Sequence, residues 1–122
     1  MLQGVLRYNI QMSKKDLLQK KCVPCEGGVD PIDRAGAQKY LMQVPGWNLS
    51  EDAKKISKEY KFQDFIGAIN FVNNVAEIAE SENHHPDIKI NYNKVLLELS
   101  THAIGGLSEN DFILAAKIDA MK

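Results

Sequence analysis

The chain holds three histidines, His84, His85 and His102, and all of them fall in one short stretch. Imidazole exchanges protons near neutral pH, so three of them in reach of one another are candidates for general acid/base chemistry. His84-His85-Pro86 follows a long helical pattern, and His102 follows two alternating apolar runs. If those runs form a hairpin, the chain returns its last residue to the level of its first, and His102 arrives beside His84 and His85. The bland alternative is a pair of solvated loop imidazoles, and the third histidine at the matching hairpin end weighs against it. Zinc is the next rival, but adjacent histidines rarely aim both rings at one ion, and no short-spaced acid completes a ligand set. Ser100 and Thr101 adjoin His102 without a nucleophile elbow, so a serine or threonine nucleophile is the poorer reading.

Two acids stand near this cluster. Glu80 lies one helical turn before His84, and Asp111 has capping-box spacing from Ser108. Each has an ordinary role as a helix-surface or capping carboxylate, and each could also aim an imidazole or meet a polar substrate edge. Cys22 and Cys25 form a Cys-x-x-Cys, at most half of a structural zinc site. Lys20-Lys21 before the pair and Glu26-Gly27-Gly28 after it read as loop rather than as a redox strand–helix junction, leaving two loop thiols.

The elements that must position these residues follow from periodicity. Ile32, Ala35, Tyr40 and Leu41 make a helical stripe ending before Pro45-Gly46. Trp47 to Leu49, a turn at Ser50 to Ala53, and Ile56 to Phe62 read as a hairpin. Asp64 caps the clearest helix, in which Phe65, Ala68, Ile69, Val72, Val75, Ala76 and Ala79 share one face and Asn70, Asn73, Asn74, Glu77 and Glu80 the other. Ile88, Ile90 and Tyr92, a turn at Asn93-Lys94, and Val95, Leu97 and Leu99 make a second hairpin. Gly105-Gly106 breaks the chain before a final helix from Ser108, apolar on more than one side between Phe112 and Met121. That excess points to a second burial surface such as a subunit contact. The expected fold is α+β: one four-stranded antiparallel sheet of two hairpins, with helices packed on one face. Residues 1–31 are expected to be a partly irregular N-terminal extension and 32–122 the domain. The opening stretch, Met1 to Gln11, lacks the apolar length of a secretory signal.

Composition narrows the ligand classes. A chain of 122 residues with 44% hydrophobic and 25% charged residues is long enough for one buried core. Fifteen basic against sixteen acidic residues leave no phosphate-neutralising stripe, so direct nucleic-acid binding is not expected. No apolar run approaches the roughly 20 residues needed to span a bilayer, so no membrane partner is expected either.

The string Glu80-x3-His84-His85-Pro86-x5-Tyr92-x9-His102-x8-Asp111 resembles the signature of the pterin-4a-carbinolamine dehydratases. Gly46-Trp47, Phe62-x-Asp64-Phe65, Leu99-Ser100-Thr101-His102 and Gly106-Leu107-Ser108-Glu109 extend the resemblance over roughly residues 32 to 121. It implies elimination of water from a 4a-hydroxytetrahydropterin to give a quinonoid dihydropterin, with no metal and no organic cofactor. It further implies that His84 and His102 form the acid/base pair and that His85 orients substrate. Pro86, Thr101, Ala103 and Ile104 would flank the pterin, with Glu80 and Asp111 in support at the substrate site. Two positions depart from the pattern. Asn83 stands where many relatives carry an acid, and Ile88-Lys89 replaces an aromatic pair. The resemblance also implies a homodimer or homotetramer and a cytoplasmic location, with nucleus and organelle left open. Animal relatives partner a homeodomain transcription factor, so an interaction module is the alternative function.

Overall fold

The computed structural model describes residues 14–23 and 29–121. Within them run α1 (Lys14–Gln19), α2 (Arg34–Leu41), β1 (Asn48–Leu49), β2 (Ile56–Lys61), α3 (Phe65–Glu82), β3 (Asp87–Asn91), β4 (Lys94–Leu99), a 3-10 turn (His102–Ile104) and α4 (Glu109–Ala120). Cys25 and the opening stretch Met1 to Gln11 lie outside the described residues. No described helix is long and apolar enough to cross a membrane.

Both expected hairpins form and join into one antiparallel sheet ordered β1-β2-β4-β3. Strand alternation decides the faces. Ile56 lies opposite Leu99 and Tyr60 opposite Val95, and with Leu97 these side chains are buried beneath the helices. The second turn falls one residue earlier than expected: Tyr92 takes the left-handed conformation (φ 55) and Lys94 already belongs to β4. Asn93 is held there by exchange with Phe62, whose N–H donates to the Asn93 carbonyl at 2.8 Å and whose carbonyl accepts the Asn93 amide at 2.9 Å.

Asp64 starts α3 as its side chain predicts, with its carboxylate accepting the Gly67 N–H at 2.8 Å. The buried stripe is Ala68, Phe71, Val75, Ala79 and Glu82. Phe65 and Ala76, expected on that stripe, are exposed instead, because the buried stripe is rotated towards Phe71 and Glu82. The expected polar face, from Asn70 to Glu80, does face solvent.

The last helix corrects the sequence reading. Every residue from Asn110 to Ala116, and Ile118, is buried within this one chain. Its extra apolar faces are taken up by α3, by Tyr40 of α2, whose ring stacks 4.7 Å from Phe112, and by α1, whose Leu17 is 2% exposed. Among the described residues the apolar side chains from Phe112 to Ile118 are thus covered by the same chain, and the second burial surface is internal. At its C-terminal end Asp119 accepts from Trp47 Nε1 (3.1 Å), Lys58 Nζ (3.0 Å) and Tyr60 Oη (2.6 Å), tying the helix to the first hairpin.

Candidate active site

The histidines are delivered by three chain reversals at one end of the sheet. Helix α3 ends where Asn83 turns left-handed (φ 53, ψ 41), so that the Asn83 N–H reaches the Glu80 carbonyl and the His84 N–H the Ala79 carbonyl. These are the paired bonds of a Schellman end, and asparagine is one of few non-glycine residues that enters this conformation at low cost. Asn83 thus throws His84-His85-Pro86 off the helix axis.

The second reversal is the hairpin β3–β4, which pairs Asp87 with Glu98 and brings Ser100 level with the His84-His85 turn. The third is the 3-10 turn. Thr101 and Gly106 exchange backbone hydrogen bonds of 2.7 and 3.3 Å, closing a loop that carries His102 and Ala103 at its tip. Gly105 is left-handed in that loop (φ 70), and a side chain at Gly106 would strike Pro31, so both glycines are required by geometry.

Asp111 joins these parts. Its carboxylate is fully buried at the first turn of α4, in the capping box with Ser108 that the spacing predicts. Oδ1 receives His84 Nε2 at 2.6 Å, while Oδ2 receives Thr101 Oγ1 and the Ser108 N–H, each at 2.9 Å. A carboxylate only accepts, so the contact is a hydrogen bond when His84 carries a hydrogen on Nε2, the tautomer whose lone pair is on Nδ1. One side chain therefore sets the tautomer of His84 and holds the residue before His102. His84 is itself largely buried, with 12% of its side chain exposed. His85 meets Glu80 at 2.6 Å, but both groups are exposed, so this pair is screened and contributes little to stability. His102 is exposed and makes no side-chain hydrogen bond to a described residue.

His84, His85, His102, Thr101 and Ala103 line a common cleft of about 370 Å³. Of the other expected site residues, Glu80 stands outside the cleft against His85, Asp111 lies behind it, and Pro86 and Ile104 are not on its walls. The sequence reading missed four wall residues: Val23, Asn83, Ser100 and Asn110. Ser100 was visible beside His102, and Asn83 as the residue before His84. Val23 and Asn110 carried no signal, because the irregular backbone of one is held by the helical side chain of the other, far away in the chain. Among the described residues no three His, Cys, Asp or Glu side chains are grouped to hold a metal ion.

The N-terminal segment docks beside this cleft. Glu82, buried at the end of α3, accepts the Cys22 N–H at 2.9 Å and Lys117 Nζ at 2.6 Å. Burial alone would raise the Glu82 pKa, but the bonds from Lys117 and Cys22 and the charges of Lys117 and Lys21 outweigh it and hold the carboxyl below its usual range. The Cys22 thiol is pushed up to about 12, first by burial and then by the Glu82 carboxylate. That suits an inert packed thiol rather than a thiolate ligand or nucleophile.

Comparison with known proteins places this geometry among relatives. The family described as "Pterin 4 alpha carbinolamine dehydratase" matches residues 30–121. A protein of Halorhodospira halophila that bears the same family name is 54% identical over 105 residues, covering 86% of this chain and 96% of its own. The crystal structure of a transcriptional coactivator/pterin dehydratase from Brucella melitensis superposes with a TM-score of 0.71 at 30% identity, over 75% of this chain and 98% of that one. A pterin dehydratase-like protein described as a RuBisCO assembly factor in the alpha-carboxysome shares the fold, at TM-score 0.55 and 22% identity, over 63% of this chain and 89% of its own.

Proposed function

The chain belongs to the pterin 4 alpha carbinolamine dehydratase family, a family of hydro-lyases, and we propose that it removes water from a 4a-hydroxytetrahydropterin with His84 and His102 as the proton-exchanging pair. In the elimination the carbon–oxygen bond at the bridgehead breaks, and the hydroxyl leaves as water on receiving a proton. The neighbouring ring nitrogen gives up its N–H proton, and its electrons close the carbon–nitrogen double bond of the quinonoid dihydropterin. One proton is delivered and one removed with no change of oxidation state. The balance therefore calls for an acid and a base, and for neither metal nor organic cofactor. The product must be reduced to regenerate tetrahydropterin, which puts the reaction in pterin recycling.

The observation that carries this reading is the Asp111 linkage, which prepares His84 for proton exchange and anchors the loop of His102 in the same cleft. His85 orients the substrate from its exposed position, steadied by Glu80. Thr101 and Ala103 flank the pterin, while Pro86 and Ile104 shape the two turns. The test is stopped-flow dehydration of chemically generated carbinolamine. His84→Ala and His102→Ala should each lose about 10²- to 10⁴-fold in kcat while staying folded, His102→Ala with an unchanged thermal midpoint and His84→Ala with one lowered by loss of the bond to buried Asp111, and rates within threefold of wild type would sink the assignment.

A second reading rests on β3. Every residue of this edge strand is exposed, and Ile88 and Ile90 lie on the sheet face that is buried elsewhere. Such an edge suits a homodimer or homotetramer, or the interaction role named for the Brucella structure. Light scattering that finds only monomer, together with activity that requires the histidines, would remove it.

A further inference from the structure

We infer that the N-terminal arm supplies a substrate-contacting wall of the cleft through Val23, and that Asn110 is the residue that positions it. The inference deepens the pterin reading and rests on it. Asn110 is buried and grips the Val23 backbone at both ends: its Oδ1 accepts the Val23 N–H at 3.0 Å, and its Nδ2 donates to the Val23 carbonyl at 2.6 Å. This satisfies both polar groups of an otherwise irregular residue and leaves its side chain 63% exposed. The grip is reinforced from behind, where the Cys22 N–H is held by Glu82 and Lys21 Nζ reaches the Ser81 carbonyl at 3.2 Å.

An exposed valine fixed this firmly has a specific neighbourhood. It lines the same cleft as His84, His85 and His102, and among the described wall residues only Val23 and Ala103 have apolar side chains. A pterin is a flat heteroaromatic bicycle whose edges need hydrogen bonds and whose faces need apolar cover. The polar residues of the cleft suit the edges. Ala103 offers one methyl, so Val23 is the larger apolar surface available to a ring face. Asn110 also adjoins Asp111 in the first turn of α4. One helical turn thus sets both the catalytic imidazole and the binding wall.

The experiment measures kcat and KM for dehydration by the full chain and its variants, with Val23 amide exchange as a second readout. Val23 is exposed, so Val23→Ala and Val23→Ser should fold normally. Each should raise KM about threefold to tenfold, the loss expected for removing methyl groups from one face of a bound ring, with a smaller change in kcat. Val23→Ile should restore KM. Asn110→Ala should speed exchange at Val23 and raise KM to a similar extent, and Val23→Ala added to it should have little further effect. An unchanged KM in both Val23 variants overturns the inference, as does an Asn110→Ala chain with a freed Val23 amide and a wild-type KM. A wild-type chain that does not dehydrate carbinolamine overturns the pterin reading and this inference together, whereas an active wild type with insensitive Val23 overturns this inference alone.

Discussion

Replacing Asp111 by asparagine keeps the size of the side chain and reverses one hydrogen bond. Oδ2 accepts from both Thr101 Oγ1 and the Ser108 N–H, so the amide oxygen must stay on that side, and the amide NH2 then takes the place of Oδ1 opposite His84 Nε2. Two donors cannot share that 2.6 Å contact. His84 must accept on Nε2 and move its hydrogen to Nδ1, which removes the lone pair assigned to proton exchange. The change withdraws one general acid/base group, so kcat should fall about 10²- to 10⁴-fold. Stability should fall far less. The two bonds at Oδ2 survive and the third is reversed rather than lost, so the cost is the difference between a charge-assisted and a neutral bond, about 1 kcal/mol. Asp111→Ala, which removes the acceptor of His84 and of the Ser108 N–H and leaves the Thr101 hydroxyl only its 2.7 Å contact with the Ser108 hydroxyl among the described residues, should cost more, about 3–5 kcal/mol. Stopped-flow dehydration with thermal unfolding of the same samples separates the two effects. An Asp111→Asn chain that folds and keeps kcat within about threefold of wild type would refute the tautomer argument.

Three further outcomes follow from the buried polar contacts. Glu82 titrates below its unfolded value, so its contribution is fully present above the ordinary glutamate range near pH 4.3 and is lost as pH falls from there through the lowered folded value. The unfolding midpoint should therefore drop more steeply below pH 5 for wild type than for Glu82→Gln, and parallel curves would contradict this. The Cys22 pKa is raised, so the group favours folding below the ordinary thiol range and loses that contribution as pH rises towards about 12. In a Cys25→Ser background its alkylation at pH 8 should be at least tenfold slower than that of a model thiol, and Glu82→Gln should accelerate it. Asp119→Ala should destabilise the fold by about 2–4 kcal/mol by removing the acceptor of the Tyr60 hydroxyl, the Trp47 N–H and the Lys58 ammonium, while kcat and KM hold. A kinetic change would show that this network reaches the site.

Where a local rule governed, the sequence sufficed. The Asp64 cap, the Ser108–Asp111 capping box, strand alternation in β4 and the return of His102 by a hairpin are each set by residues a few positions apart. The misses share a different cause. The helix α4 has apolar residues on every side, and periodicity cannot distinguish cover by another subunit from cover by Leu17 of the same chain. Asp111 could be placed as a cap, but its second role depends on the left-handed turn at Asn83, which swings His84 across to it. The arm was harder still. The Asn110 side chain meets the Val23 backbone across 87 residues of sequence, and no pattern of side-chain types announces such a contact.

The central claim is that His84 and His102 act as one proton-exchanging unit in a single cleft. The most direct measurement is a double-mutant cycle in single-turnover dehydration, comparing wild type, His84→Ala, His102→Ala and the double variant. Groups that serve one elimination step are strongly non-additive, so each single variant should already lie within about tenfold of the double variant. Losses that multiply independently, or a double variant that still turns over near the wild-type rate, would contradict it.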